Sequence, residues 1–213
     1  MMSKARGKFI TVEGGEGAGK STNIDVIKTY LEEQGIDYVQ TREPGGTLIA
    51  EKMRRLLLDK HDETMNPLAE LLLVFAARAQ HIASLIKPSL DSGDWVLCDR
   101  FTDATYAYQG CGRKLNSELV GQLETLVQRE LRPDLTIILD MEPRVGLERA
   151  RQRGDLDRFE IEKLEFFDRV RSCYLDIAQA EPERCVVINA EEDFPTVRRA
   201  VLAALHQRLG GAD

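Results

Sequence analysis

The run Gly14-Gly15-Glu16-Gly17-Ala18-Gly19-Lys20-Ser21 fits the pattern G-x-x-x-x-G-K-[ST], and it follows directly on the apolar stretch Phe9-Ile10-Thr11-Val12. Its chemistry is phosphate binding. Glycines let successive backbone N–H groups turn inward around a β-phosphate, Lys20 supplies a mobile cation, and the Ser21 hydroxyl is placed to ligate Mg²⁺. A glycine-rich turn without a ligand is the bland alternative. The context favours the cradle, because Ile24, Ile27, Tyr30 and Leu31 give Ser21 to Glu33 helical spacing, so the loop joins a strand to a helix.

Four further segments carry groups suited to an anionic ligand. Asp99-Arg100 closes an apolar run, where a carboxylate can enter the shell of a metal through water and an arginine fork can clamp a second phosphate. A structural ion pair is the alternative there. Thr41-Arg42-Glu43-Pro44-Gly45-Gly46-Thr47 makes a rigid corner or an ordinary turn, with the Glu43–Pro44 bond open to either isomer. Thr105-Tyr106-Ala107-Tyr108-Gln109-Gly110 supplies hydroxyls, an amide and rings that suit a base and a sugar. Arg149-Ala150-Arg151-Gln152-Arg153-Gly154-Asp155-Leu156-Asp157-Arg158 has the composition of a mobile arginine-rich lid, about 149–160, or else of a solvated helix face. Arg78 lies among Leu71, Val74 and Phe75 on a helical face, so it needs either a ligand or an acid such as Glu70.

The elements that must position these groups alternate. Strand-like runs are Lys8 to Val12, Tyr38 to Thr41, Trp95 to Cys98, Leu135 to Leu139 and Cys185 to Ile188. Helical spacing fills Ser21 to Glu33, Leu48 to Leu58, Leu68 to Leu90, Ser117 to Leu131, Val145 to Arg151, Glu162 to Ala180 and Phe194 to Leu209. This alternation predicts an α/β chain with a five-stranded parallel sheet and helices on both faces. Ligands of such sheets sit at the carboxyl ends of the strands, which is where the P-loop, the Arg42 corner and Asp99-Arg100 all fall.

At 213 residues and 43% hydrophobic, residues 1–213 read as one domain. A net charge of −7 spread along the chain argues against a nucleic-acid polymer as partner. No run approaches the ~20 apolar residues of a membrane span, and Met1 to Lys8 lacks the apolar centre of a signal peptide, so a cytoplasmic location is expected. Cys98, Cys111, Cys173 and Cys185 form no C-x-x-C pair and are expected as reduced thiols. His61, His81 and His206 are too scattered for a metal cluster and read as solvated or core-edge imidazoles.

Taken together, the P-loop Gly14 to Ser21, the Arg42-Glu43-Pro44-Gly45-Gly46-Thr47 corner, Asp99-Arg100, Ala107-Tyr108-Gln109-Gly110 and the Arg149 to Arg158 segment resemble the bacterial thymidylate kinases over nearly the whole chain. The resemblance implies a P-loop NTPase fold and a homodimer. It also implies transfer of the ATP γ-phosphoryl group to thymidine monophosphate (dTMP) in dTTP synthesis. It assigns ATP to Gly14 to Ser21 with Lys20, Arg149 and the lid cation Arg153, and Mg²⁺ to Ser21 and Asp99. Glu16 would receive the 3′-hydroxyl, Arg100 the monophosphate, Arg78 the thymine O4, Thr105 or Gln109 the pyrimidine edge, and Tyr108 the deoxyribose. Glu16-Gly17-Ala18 in the loop and Arg153 in the lid match the members that carry the catalytic cation in the lid. Val74 stands where the family carries a stacking aromatic. Phe75, about 100° further round the helix, is the aromatic candidate. Ala104 and Cys111 replace a frequent serine and glycine.

Three rivals remain open at this level, one of them a purely structural P-loop remnant that predicts no ATP binding. A GTP-hydrolysing switch is weakened because neither N-K-x-D nor D-x-x-G occurs. A kinase for another monophosphate is separable by assay.

Overall fold

The structure, a computed structural model, describes residues 5–152 and 157–209. Five strands, β1 (Phe9–Gly14), β2 (Tyr38–Arg42), β3 (Trp95–Asp99), β4 (Leu135–Asp140) and β5 (Cys185–Asn189), form one sheet in the order β2-β3-β1-β4-β5. Every pairing is parallel. The order reverses about β1, so the crevice for a ligand lies beyond the carboxyl end of the central strand. Register brings the ends together: Val12 and Arg42 both align with Asp99, and Gly14 aligns with Leu139.

The helices are α1 (Lys20–Glu33), α2 (Leu48–Leu58), α3 (Pro67–His81), α4 (Lys87–Ser92), α5 (Thr102–Thr105), α6 (Ser117–Gln128), α7 (Pro143–Arg151), α8 (Leu164–Ala180) and α9 (Phe194–Leu209). Successive side chains of a strand point to opposite faces. Thus Ile10 and Val12 pack with Ile24, Ile27 and Leu31 of α1 and Val201 and Leu205 of α9, whereas Phe9 packs with Ile82, Ile86 and Leu90 on the other side. Each of these buried apolar side chains contributes about 1.5–3 kcal/mol by leaving water.

Three expectations change. The long apolar helix is continuous from Pro67 to Ser92, with a π-helical stretch at Ile82–Ile86, and an 18-residue window of it, with mean hydropathy 1.4, meets the length and composition of a membrane span. Half of that window is buried inside the protein, where Leu71, Phe75, Ile82, Ile86 and Leu90 pack in core clusters. The segment after Asp99-Arg100, which lies outside the runs of helical spacing in the sequence, is helical: α5 runs into a π-helical stretch, Tyr106–Gly112. Helix α6 stops at Gln128 rather than Leu131 because Arg129 takes φ 54°, outside helical space.

Cys111 and Cys173 correct the expectation of four reduced thiols. They are paired as a disulfide between the π-helical stretch and α8, with Cα atoms 6.2 Å apart, while Cys98 and Cys185 are free and buried. Arg169 ties the same two elements, donating to the carbonyls of Cys111 and Gly112.

Candidate active site

The P-loop leaves β1 at Gly14 and enters α1 through Gly19, which takes φ 84° at the N-cap. No side chain caps this helix and no acid lies in its first turn, so its amides and the positive end of its dipole are offered to an anion. Lys20 Nζ lies over the loop, donating to the carbonyls of Gly14 and Gly15 at 3.2 and 2.9 Å. Burial, then the neighbouring Arg100 charge, holds its pKa below the ordinary value. Ser21 opens onto a cavity also lined by Thr41, Arg42, Thr47, Glu51 and Asp99. Asp99 Oδ1 is buried there without a hydrogen-bond partner among the described residues.

A second cavity, of about 130 Å³, adjoins the first and is lined by Glu16, Arg54, Arg78, Arg100, Thr105, Tyr108 and Gln109, among others. Arg42 and Asp99 line both cavities. Arg100 reaches the site through a left-handed backbone, φ 69°, with its amide bonded to Val12 O. That conformation costs a non-glycine residue roughly 1–2 kcal/mol. It directs the guanidinium to Glu16 Oε1 at 2.7 Å, Gly14 O at 3.0 Å and the Tyr108 ring, 4.7 Å from its centroid. Burial holds the Tyr108 phenol well above its ordinary pKa, so the hydroxyl is a donor, and it too goes to Glu16 Oε1, at 2.7 Å. A P-loop carboxylate is therefore fastened to the groups lining the second cavity.

Arg78 is 1% exposed, and its partner is not Glu70. Its Nε donates to Glu43 Oε2 at 2.7 Å, and Nη2 donates to Thr105 Oγ1 at 2.8 Å and Phe101 O at 3.1 Å. Glu43 belongs to the rigid corner, whose Glu43–Pro44 bond is cis and whose Gly46 amide is held by Glu51. Glu70 instead pairs with Arg158 at 2.7 Å and with Arg113, and it accepts from Gln109 Nε2 at 2.8 Å.

The expectation that Phe75 stacks on a base is corrected. Its ring is 2% exposed, packs with Leu71 and Val120, and lies 4.9 Å from the Arg78 guanidinium carbon, outside the cavity lining. Val74, Phe101 and Phe159 line the cavity instead.

In the arginine-rich segment, Arg149 and Arg151 stand exposed on α7, and Arg149 contacts Met141 Sδ. Arg153 lies outside the described residues. Arg158 is a fastening group, donating through Nε to Leu57 O at 2.7 Å as well as pairing with Glu70.

Sequence reasoning missed Glu13 and Tyr174. Glu13 is fully buried, accepting from Phe101 N at 2.6 Å and from Tyr174 OH at 2.8 Å, and Tyr174 OH also receives Arg100 Nη1 at 3.2 Å. The signal for Glu13 was a charge at the end of an otherwise apolar strand. Tyr174 had none, since an aromatic at helical spacing reads as core.

The sheet order, the uncapped P-loop helix and the adjoining cavity lined by arginines define a P-loop phosphotransferase. Known proteins agree. The thymidylate kinase family model matches residues 12–201. The chain is 55% identical over 199 residues to a thymidylate kinase of Teredinibacter turnerae, covering 93% of this chain and 97% of that one. It is 58% identical over 197 residues to one of Pseudomonas putida, covering 92% and 95%. The crystal structure of thymidylate kinase from Ehrlichia chaffeensis superposes with a TM-score of 0.77 at 38% identity, covering 94% and 99%. The chain belongs to the thymidylate kinase family and is thereby a nucleoside monophosphate kinase, a transferase.

Proposed function

We propose that this single-domain protein transfers the γ-phosphoryl group of ATP to dTMP, giving dTDP and ADP for dTTP synthesis, as a soluble cytoplasmic homodimer. The observation that carries this reading is that Arg42 and Asp99 line both the Ser21 cavity and the Arg78–Arg100 cavity, as a phosphoryl donor beside its acceptor requires. The P-loop amides of Gly14 to Ser21 with Lys20, Arg149 and Arg153 serve ATP. Glu16, Arg78, Arg100, Thr105, Tyr108 and Gln109 serve dTMP. The buried Asp99 Oδ1, unpartnered among the described residues and lining the same cavity as Ser21, suits a hard cation such as Mg²⁺, which uses few protein oxygens and several from phosphates. When bound, the ion neutralises charge on the phosphates.

The nucleophile is an oxygen of the monophosphate, whose second pKa of about 6 leaves it mostly dianionic at neutral pH, so no general base is required. Arg100 and Glu16 then position the acceptor, Lys20 and Arg153 stabilise the moving phosphoryl group, and the lid excludes water. Exposed Leu68, Leu72 and Leu126, on α3 and α6, support an apolar face for a second copy. The test is ADP release measured against a panel of nucleoside monophosphates. Turnover should be highest with dTMP; no turnover with dTMP, or a better acceptor elsewhere in the panel, refutes the proposal.

A further inference from the structure

Behind Arg78, away from the cavity, runs a chain of buried polar groups that the chemistry above does not use. Thr41 Oγ1 lies 2.7 Å from His81 Nε2, and His81 Nδ1 lies 2.9 Å from Glu43 Oε1, while the other Glu43 oxygen receives Arg78 Nε at 2.7 Å. All four residues are 8% exposed or less, and His81 is fully buried, which corrects its reading as a core-edge imidazole. The Glu43 carboxylate can only accept, so His81 Nδ1 is a donor to it. Glu43 and Arg78 line the acceptor cavity; His81 lines neither cavity, and Thr41 lines the Ser21 cavity.

The consequence falls on the orientation of the guanidinium. Phe75 and Phe101 hold its carbon at 4.9 and 5.0 Å from their ring centroids, which fixes its plane. Within that plane, rotation is set by which carboxylate oxygen meets Nε. With His81 holding Oε1, only Oε2 is left for Arg78, Nη2 reaches Thr105 and Phe101, and Nη1 keeps a single long contact, 3.5 Å to Gln128 Oε1. Nη1 thus retains donor capacity among the described residues. Without His81, both Glu43 oxygens would turn to the guanidinium in bidentate fashion.

We propose that His81 is a positioning residue for base recognition: through Glu43 it fixes the Arg78 guanidinium so that a spare N–H meets a carbonyl on the base of the acceptor nucleotide. Arginine carries donors only, so this arrangement favours a base edge with a carbonyl over one with an amino group. The inference rests on the dTMP reading given above.

The test compares dTMP with dCMP, which carries an amino group at ring position 4, in the wild type, His81→Leu, His81→Asn and Thr41→Val. His81→Leu should raise KM for dTMP about tenfold, the scale of one charge-assisted hydrogen bond, and lower the dTMP-to-dCMP ratio of kcat/KM by about as much. KM for ATP should stay unchanged. His81→Asn keeps a donor near the Nδ1 position and should recover dTMP KM to within about threefold of wild type. A purely structural role would lower the melting temperature and depress both acceptors together, leaving the ratio fixed. That result, or an unchanged dTMP KM in His81→Leu, overturns the proposal. If His81→Leu does not fold, Thr41→Val carries the test, with about a threefold fall in the same ratio expected and no fall overturning it. Failure of the wild type to use dTMP would instead overturn the functional reading.

Discussion

Gly146 sits inside α7, where glycine costs about 1 kcal/mol relative to alanine, so propensity alone says that Gly146→Ala stabilises the protein. Packing says the opposite. A Cβ on Gly146 would overlap the carbonyl oxygen of Glu16 and stand 3.4 Å from its carbon, and a Cβ on Gly17 would lie 2.7 and 2.9 Å from Gly146 C and Cα. The P-loop and α7 therefore meet main chain to main chain. To restore ordinary C···O contact the loop must retreat by about 1 Å. Neither side can yield by rotating a side chain, so the overpacking cost falls toward the top of its usual range of about 1–3 kcal/mol. The net expectation is destabilisation by about 1–2 kcal/mol, or roughly 2–8 °C in Tm for a chain of this size. A 1 Å displacement of the phosphate-binding amides should also lower kcat/KM for ATP by about 100-fold. Thermal melts and initial rates on Gly146→Ala test this. Gly121→Ala is the control: it lies in α6, its Cβ would meet only Tyr106 OH at 3.4 Å, and its Tm should rise with kinetics unchanged. A rise in Tm for Gly146→Ala with normal kcat/KM would refute the reasoning.

Burial, and then the Asp103 charge, pushes Glu13 from the ordinary 4.5 up to about 7. Between those values the folded chain binds a proton that the unfolded chain has lost, so this group's contribution to stability is greatest below 4.5 and is lost as pH rises to about 7. Glu13→Gln keeps an acceptor for Phe101 N and removes that slope, so its Tm relative to wild type should climb between about pH 5 and about pH 8; a pH-independent difference would contradict this. Denatured without reductant, the chain should titrate two thiols, Cys98 and Cys185; four would remove the Cys111–Cys173 pair. Arg153→Ala should lower kcat by about 10³-fold with little change in KM for dTMP, the scale of a cation supplied to the moving phosphoryl group, and a variant with unchanged kcat would end the lid role.

What was legible in the sequence is what local chemistry dictates. Backbone freedom at Gly14, Gly17 and Gly19 beside Lys20 and Ser21 marks the phosphate cradle, and runs such as Thr136-Ile137-Ile138-Leu139 mark strands buried on both sides, because a few adjacent residues suffice for each. The parallel sheet and its crevice follow from the alternation of those runs with helices. The partners of the charges were not legible. Arg78 needed an acid, and Glu70 on its own helix was the local candidate, yet Glu43, 35 residues away in the corner after β2, supplies it. The tie between Tyr174 and Glu13 spans 161 residues, and the Cys111–Cys173 link spans 62. The π-helical turn over Tyr106–Gly112 left no periodic trace, since one helical turn packed against α8 is stabilised by its neighbours rather than by its own spacing. A buried charge is satisfied by whatever donor the completed fold brings within hydrogen-bond reach, and that distance exists only in three dimensions.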